Sequence, residues 1–457
     1  MDALFIVFAG ALASIFIAFA KKPWLVASSA MAFLLAAIIV MINQMKTGSA
    51  FFDFIKYEGL LFDNTALMFS LAICVLSFLV IGVGYERFKE NSEHTGEYIG
   101  LLMFSTVGAL IMTAFTDMFM FFLGLEILSI PIYVMAGSNK TDVRSSESSL
   151  KYFLTGSFAT GIFLFGLAWI YGATGTFKLV EISVKISEMD SMNSMVMIGV
   201  LLIMASFLFK ISAAPFHFWS PDVYDGAPHA VTGYMASVIK IAGFFAFLKM
   251  YMICFGQGEL YLFWRNAIIV LVIATLFIGN LSALKQVKLK RFLAYSSITH
   301  VGYTLLIFVS NSGAEVPSLW FYLLSYGFAI VGIIAAGILI NDQEDEIESF
   351  RGLYRKNPFV AIVAIVALLS FAGIPPTAGF FAKYVVLLGA WHDASWLVLI
   401  ALLNSAISIY YYLRILVTIV SSTDKPVEKI KISPLMIVLL SLSLIGMLGL
   451  SFFLPYI

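Results

Sequence analysis

The chain has 457 residues, 61% of them hydrophobic and only 12% charged, with a formal net charge of zero and a mean hydropathy of +0.98. That composition lies outside the range of water-soluble domains and marks a chain dissolved in lipid. The even balance of 27 basic and 27 acidic residues excludes a basic nucleic-acid surface and a solvating acidic tail, so the lipid bilayer is an expected partner and nucleic acid is not.

Apolar runs of about 18 to 25 residues, ended by polar or Gly/Pro punctuation, predict an all-α integral membrane protein with about fourteen transmembrane helices. Three fall near 3–20, 24–43 and 65–85, in an N-terminal unit over 1–97. A first five-helix block over 98–253 holds spans near 98–115, 118–136, 149–172, 195–219 and 229–253. A second block over 262–418 holds spans near 262–284, 292–310, 317–340, 358–388 and 395–418, and the fourteenth helix, near 433–455, opens a C-terminal unit over 433–457. All of these belong to one membrane domain. At the N-terminus, MDALFIVFAGALASIFIAFAKKPW sets its apolar run before the basic pair Lys21 and Lys22. A signal peptide has the reverse order, so this is read as the first span. Cys74 and Cys254 fall inside apolar runs and read as small core residues, with no disulfide or metal cluster expected.

Basic residues set the expected orientation. With the N-terminus outside, the inside loops collect most of them, among them Lys21, Lys22, Arg87, Lys140, Arg144, Lys288, Arg291, Arg355 and Lys425. The outside loops keep Lys46, Lys56, Lys178, Lys185 and Arg265, with Lys249 near that side. Both termini are then expected on the outer side. Lys210, Lys240 and Lys383 belong to neither set and fall within the membrane.

The seventh and twelfth predicted helices are interrupted, by Pro215 in KISAAPFHFWSP and by Pro375 and Pro376 in SFAGIPPTAGFFAKY. Proline removes a helix hydrogen bond and breaks or kinks the helix. Freed backbone groups at membrane depth are tolerated only inside protein or beside water, so two broken helices imply two hydrated cavities. Pro215 and Pro375 lie about 160 residues apart, and the starts of the flanking spans recur at similar offsets. Five helices per copy is an odd number, so helices four to eight and nine to thirteen form an inverted repeat of the kind secondary transporters use.

The chemistry-bearing residues cluster there. A charged side chain at bilayer depth costs about 3 kcal/mol or more without water or a partner, which makes Glu126, Lys210, Lys240 and Lys383 candidates for proton movement. Glu126 reads as a neutral core acid if unpaired and a charged one if a lysine faces it. Lys210 and Lys240, in adjacent helices, lie too far from the ends of their apolar runs for their stems to reach water easily. His217, near Lys210, and His300, with Tyr295 and Ser297 as its expected hydroxyl partners, are secondary relay candidates set against the reading of plain core histidines. His229 reads as an interfacial residue, and His94 and His392 as loop residues. Glu147 and Lys151, spaced i and i+4, read as a surface pair, and the acidic run NDQEDEIESFRGLYRKNP from 341 to 358 as a solvated loop. Phosphate loops, paired metal-ligand cysteines and nucleophile elbows are absent from the sequence, which leaves proton movement as the chain's expected chemistry.

Fourteen spans, Glu126 in the fifth, KISAAPFHFWSPDVYDGAP beginning at Lys210, Lys240 in the eighth, and Lys383 after GIPPTAGF in the twelfth resemble the antiporter-like membrane subunits of respiratory complex I over essentially the whole chain. The chain ends about where the fourteenth helix does, without the lateral helix of the largest such subunit, and has Lys383 where the middle one usually has glutamate. It therefore resembles the subunit nearest the quinone side of the membrane arm. The resemblance implies proton translocation as part of NADH:quinone oxidoreductase, a translocase. It implies that Glu126 tunes Lys210, Lys240 passes protons sideways, and Lys383 leads to the exit side, with His217 and His300 wiring hydrated links. It also places Glu147 and Lys151 near proton uptake. FMN, iron-sulfur clusters and quinone are implied in partner subunits and no cofactor on this chain. The implied neighbours are other antiporter-like and quinone-side subunits, in a bacterial inner (plasma) membrane with both termini periplasmic. The alternative reading is a subunit of a sodium/proton antiporter or membrane-bound hydrogenase on the same scaffold.

Overall fold

The chain is seen in a computed structural model that describes residues 1–48, 57–89, 94–189, 193–256, 258–342, 344–422 and 428–452. Lys56, Lys425 and the last residues of the C-terminal unit lie outside these. Among the described residues the structure is helical, without a β-strand.

The helices are α1 (Asp2–Ala18), α2 (Pro23–Thr47), α3 (Asn64–Phe88), α4 (Thr95–Ala114), α5 (Met118–Ala136), α6 (Val143–Thr174), α7 (Leu179–Ser187), α8 (Ser194–Ile211) and α9 (Trp219–Gly226). They continue with α10 (His229–Ala236), α11 (Val238–Met250), α12 (Gly258–Ala283), α13 (Leu289–Leu305), α14 (Glu315–Ile340), α15 (Leu353–Lys356), α16 (Pro358–Ala372), α17 (Ala378–Val420) and α18 (Pro434–Gly449). Local chemistry starts many of them. Asp63, Asp117 and Ser433 each accept a backbone N–H from the first turn of α3, α5 and α18, and proline occupies the opening of α2, α16 and α18, where its missing N–H costs nothing. Among the described residues eleven helices are long and apolar enough to cross a membrane, with α1 and α16 as shorter apolar ones.

The two helix breaks are built alike. α8 ends at Ile211 and α16 at Ala372, each followed by a left-handed residue, Ser212 (φ 63°) and Gly373 (φ 78°). In both, the next amide reaches back to the last helical turn, Ala213 N to Leu208 O at 2.9 Å and Ile374 N to Leu369 O at 3.0 Å. This is the 6→1 hydrogen bond of a Schellman stop. The chain then re-enters helix at α9 and α17.

Several boundaries differ from the sequence reading. The seventh predicted helix stops at Ile211 rather than 219, because the turn begins before Pro215. The eighth is broken at Ser237 (φ −112°, ψ −75°) into α10 and α11 and ends in a π-helical turn, Tyr251–Phe255; no proline or glycine at Ser237 signals this. The twelfth is split into α16 and the start of α17. α17 then runs through to Val420 with a single non-helical residue at Ala394 instead of a loop before 395. The short helices α7 and α9 fall in segments too short or too polar to read as spans.

α14 packs against α3, α10 and α11 as well as α16, α17 and α18, making it a wall shared by both halves of the molecule. α4 lies against α1 and α5. A Cβ on Gly108 of α4 would stand 2.2 Å from Leu128 N and 2.7 Å from Gly124 O of α5, so the two backbones touch where α5 carries its acid. Gly108→Ala is expected to destabilise the protein by on the order of 2 kcal/mol, read as a lower thermal midpoint of the purified complex. An unchanged midpoint contradicts this close approach.

Candidate functional site

Lys210 occupies the last turn of α8, where the helix dipole and unbonded carbonyls favour a cation. Its Nζ donates to Ser129 Oγ of α5 at 2.6 Å and sits 5.8 Å from the ring centre of Tyr152. Tyr152 is fully buried, stacked on Trp219 at 4.6 Å and edge-on to Tyr133 at 4.7 Å. The aromatic floor under the ammonium is therefore rigid. Ser129 in turn donates to the Leu125 carbonyl.

Glu126 lies one turn from Ser129 on α5 and accepts a hydrogen bond from Thr160 Oγ1 of α6 at 2.8 Å. It is half-buried. Lys210 is within reach of its charge, but among the described residues the two do not form an ion pair. The sequence left Glu126 open between neutral and lysine-paired, and the structure gives it a lysine at a distance with a hydroxyl in direct contact.

Lys240, in the first turn of α11 after the Ser237 break, donates to the Ser297 carbonyl of α13 at 3.3 Å. Lys383 of α17 donates to the carbonyl of Ala372, the last residue of α16, at 3.0 Å and lies 4.9 Å from the ring centre of Tyr303. The broken helix thus supplies the oxygen that holds the lysine. His300 is within electrostatic reach of both. Its partners differ from the expected Tyr295 and Ser297: Nδ1 meets Tyr322 OH at 2.8 Å and Nε2 meets Tyr412 OH at 3.2 Å. One helix turn from His300, Ser297 presents its carbonyl to Lys240, while Tyr322 and Tyr412 arrive from α14 and α17, which sequence spacing cannot foresee.

Lys210, His217, Lys240, His300 and Lys383 are all at most 7% exposed. Around the first break Tyr152 OH, Ser212 Oγ, His217 Nδ1 and Ser220 Oγ are buried without a protein hydrogen-bond partner. Buried polar atoms are rarely left so, and a cluster of them marks a place that takes water.

A second charge cluster forms where the N-terminal ends of α6, α10 and α13 meet α9. Lys151 Nζ reaches Glu147 Oε1 and Asp222 Oδ2, each at 2.6 Å. Arg291 NH1 reaches Asp222 Oδ1 at 2.8 Å, and Lys288 Nζ reaches Asp225 Oδ2 at 3.6 Å. Lys290 Nζ caps the end of α9 through the carbonyls of Asp225 and Ala227 at 2.6 and 2.9 Å. Glu147 and Lys151 are thus more than a surface pair, because Asp222 ties them to the second half of the chain. The acidic run is also not a plain solvated loop. Asp345 is 7% exposed and accepts from Lys290 N at 2.8 Å, with His229 Nε2 at 2.8 Å from its other oxygen.

With this geometry in hand, the comparisons with known proteins are direct. The profile of the NADH:quinone oxidoreductase/Mrp antiporter transmembrane family matches residues 116–408. A NADH-quinone oxidoreductase subunit N from Trichlorobacter lovleyi is 39% identical over 365 residues, 79% of this chain and 74% of the relative. One from Cytophaga hutchinsonii is 39% identical over 371 residues, 80% of each. The chain belongs to the NADH-quinone oxidoreductase subunit N family. A chain of respiratory complex I from Thermus thermophilus is similar in structure, with a TM-score of 0.84 at 28% identity over 99% of this chain and 98% of that one. A chain of an archaeal membrane-bound sulfane sulfur reductase gives 0.88 at 25% identity, over 100% and 96%.

Within this family member, sequence reasoning missed the hydroxyl partners of Lys210, Glu126 and His300, namely Ser129, Thr160, and Tyr322 with Tyr412, because hydroxyls carry no charge signal. It also left Asp222, Asp225 and Lys290 without roles. Two carboxylates in DVYDGAP, in a chain so poor in charge, were the available clue. Burial works to raise the Asp222 carboxyl's pKa, but the hydrogen bonds and charges of Lys151 and Arg291 outweigh it and hold the group below its ordinary 3.8. A folded carboxyl more acidic than the unfolded one adds stability that is complete above that ordinary value and is lost as pH falls through the folded one. Asp222→Asn is therefore expected to lower the thermal midpoint of the complex near neutral pH, and the gap to wild type should shrink once the pH drops below 3.8. A gap that does not depend on pH contradicts the assignment.

Proposed function

We propose that this chain is a proton-translocating membrane subunit of an NADH:quinone oxidoreductase, moving protons through Glu126, Lys210, Lys240 and Lys383 in step with redox chemistry elsewhere in the complex. The observation that carries the reading is the set of buried ammonium groups, each held by neutral oxygens: a serine hydroxyl for Lys210, carbonyls for Lys240 and Lys383. A lysine locked to a carboxylate is a fixed charge. One held by a hydroxyl or carbonyl keeps its contact while its proton leaves.

In this reading Glu126 biases Lys210 from a distance, with Thr160 holding the carboxylate in place. His217 and His300 line hydrated links. Glu147 and Lys151, tied to Asp222, stand at the uptake end. Shifting a proton at one site changes the electrostatic cost at the next, which couples the sites along the row. The two five-helix blocks act as half-channels, 98–253 for uptake and 262–418 for release. FMN, iron-sulfur clusters and quinone sit in partner subunits, which include neighbouring antiporter-like and quinone-side chains. The subunit lies in a bacterial inner membrane with both termini periplasmic.

Lys210→Ala in the assembled complex, reconstituted in liposomes, tests this. The expected result is intact assembly with redox-driven proton translocation lost. Assembly with translocation at the wild-type level removes the mechanism. Co-purification with an NADH-oxidising arm separates this function from that of a sodium/proton antiporter subunit.

A further inference from the structure

The membrane face on which α16 and α18 begin carries a group of cations that the buried lysines leave unused. Asn357 assembles it. Its side-chain oxygen caps α16 through the amides of Phe359 and Val360 at 3.1 and 3.2 Å, and its Nδ2 donates to the Ile430 carbonyl at 3.0 Å. The Ile430 amide returns to the Lys356 carbonyl at 3.2 Å. The stretch that precedes α18 is thereby held against the end of α15. Ile430 and Ile432 pack on the core while Lys429 and Lys431 are exposed, so the alternation sets both lysines on the outer side of the stretch, beside Arg355 and Lys356.

Among the described residues no carboxylate lies within ion-pair distance of these four cations, whereas Arg144, Lys151, Lys288 and Arg291, on the face that the basic loops assign to the inside, each have one. Acids near the corner are few. Glu86 is taken by Lys89 and by Ser433 at the start of α18, Glu348 by Arg351, and Glu428 is exposed next to Lys429. Both α16 and α18 also turn their N-terminal ends, the positive ends of their dipoles, toward the cluster. Deeper in the membrane, Val438, Leu442 and Ile445 of α18 are spaced i, i+4 and i+7 and are 55%, 42% and 63% exposed. They form one apolar stripe that leads away from the cations.

We propose that this corner binds an anionic phospholipid, with Arg355, Lys429 and Lys431 on the headgroup phosphate and the acyl chains along Val438, Leu442 and Ile445. Charge selects the occupant. Lysines and arginines clustered at the membrane end of a helix attract anionic lipid, and one phosphate accepts hydrogen bonds from several of them at once. Lys356, tied to the Ser349 carbonyl at 3.3 Å, adds its charge behind them. A zwitterionic lipid brings an ammonium of its own, which the cluster repels. Free phosphate or an acidic protein surface meets the cations but leaves the apolar stripe bare.

Photoactivatable phosphatidylglycerol, with its reactive group on an acyl chain, tests this on the assembled complex in phosphatidylcholine vesicles. Labelled residues are mapped by mass spectrometry. The expected result is labelling of α18 between Val438 and Ile445 roughly fivefold or more above that given by photoactivatable phosphatidylcholine, and unchanged by added inorganic phosphate. Lys429→Ala with Lys431→Ala, both exposed and so without effect on assembly, is expected to remove most of that excess. Lys140→Ala with Lys285→Ala takes two exposed cations from elsewhere on the same face and is expected to leave it intact. Equal labelling by the two lipids, or an excess that survives the loss of Lys429 and Lys431, overturns the inference. An excess that falls equally in both double variants overturns it too, because general surface charge then explains the lipid. A stripe that neither lipid labels, covered instead by a neighbouring chain, does the same. Labelling is read without proton translocation, so the outcome stands apart from the proposed function.

Discussion

Placing an ammonium group at membrane depth without a carboxylate beside it is the constraint on which the rest of the molecule depends. A bare charge there costs about 3 kcal/mol or more, and a neutralising acid would pin the proton in place. The fold meets both demands by ending helices inside the bilayer. α8 stops at Ile211, one residue after Lys210, and α16 stops at Ala372, whose free carbonyl is the ligand of Lys383. A terminated helix offers unbonded carbonyls and the negative end of its dipole to a cation. Carbonyls and hydroxyls of this kind hold a lysine in either protonation state. The breaks are therefore the means by which ionisable groups are kept in lipid.

The same breaks leave polar atoms that the protein does not satisfy. Ser212, His217 and Ser220 carry them around the first break, and Ser297 of α13 and Tyr326 of α14 carry two more. α14, which carries Tyr326, is the wall both halves share. At α9, Asp222 joins Lys151 of α6 to Arg291 of α13, so the two halves of the chain meet through charge.

Much of this was legible in the sequence. Composition alone required a membrane chain, the spacing of Pro215 and Pro375 predicted paired breaks, and the rarity of charge singled out Glu126, Lys210, Lys240 and Lys383. The structure finds all three lysines buried, each beside a helix end or break. What stayed hidden shares one cause, which is that it depends on tertiary approach. Ser237 breaks its helix with no proline or glycine to announce it. Tyr322 and Tyr412 reach His300 from distant helices, displacing the near-in-sequence Tyr295 and Ser297. Asp345 looked like one acid in a solvated run, yet it is buried against His229 and the Lys290 amide. Periodicity locates helices and charge rarity locates candidates, but neither tells which neutral oxygen a lysine will meet.

The central claim is that the buried lysines exchange protons and are not fixed positive charges. Arginine separates the two, since it keeps the charge and does not deprotonate in proteins. The most direct measurement is redox-driven proton translocation by the assembled complex carrying Lys383→Arg. The account predicts an assembled complex that no longer translocates protons through this subunit, whereas wild-type translocation with arginine in place would contradict it.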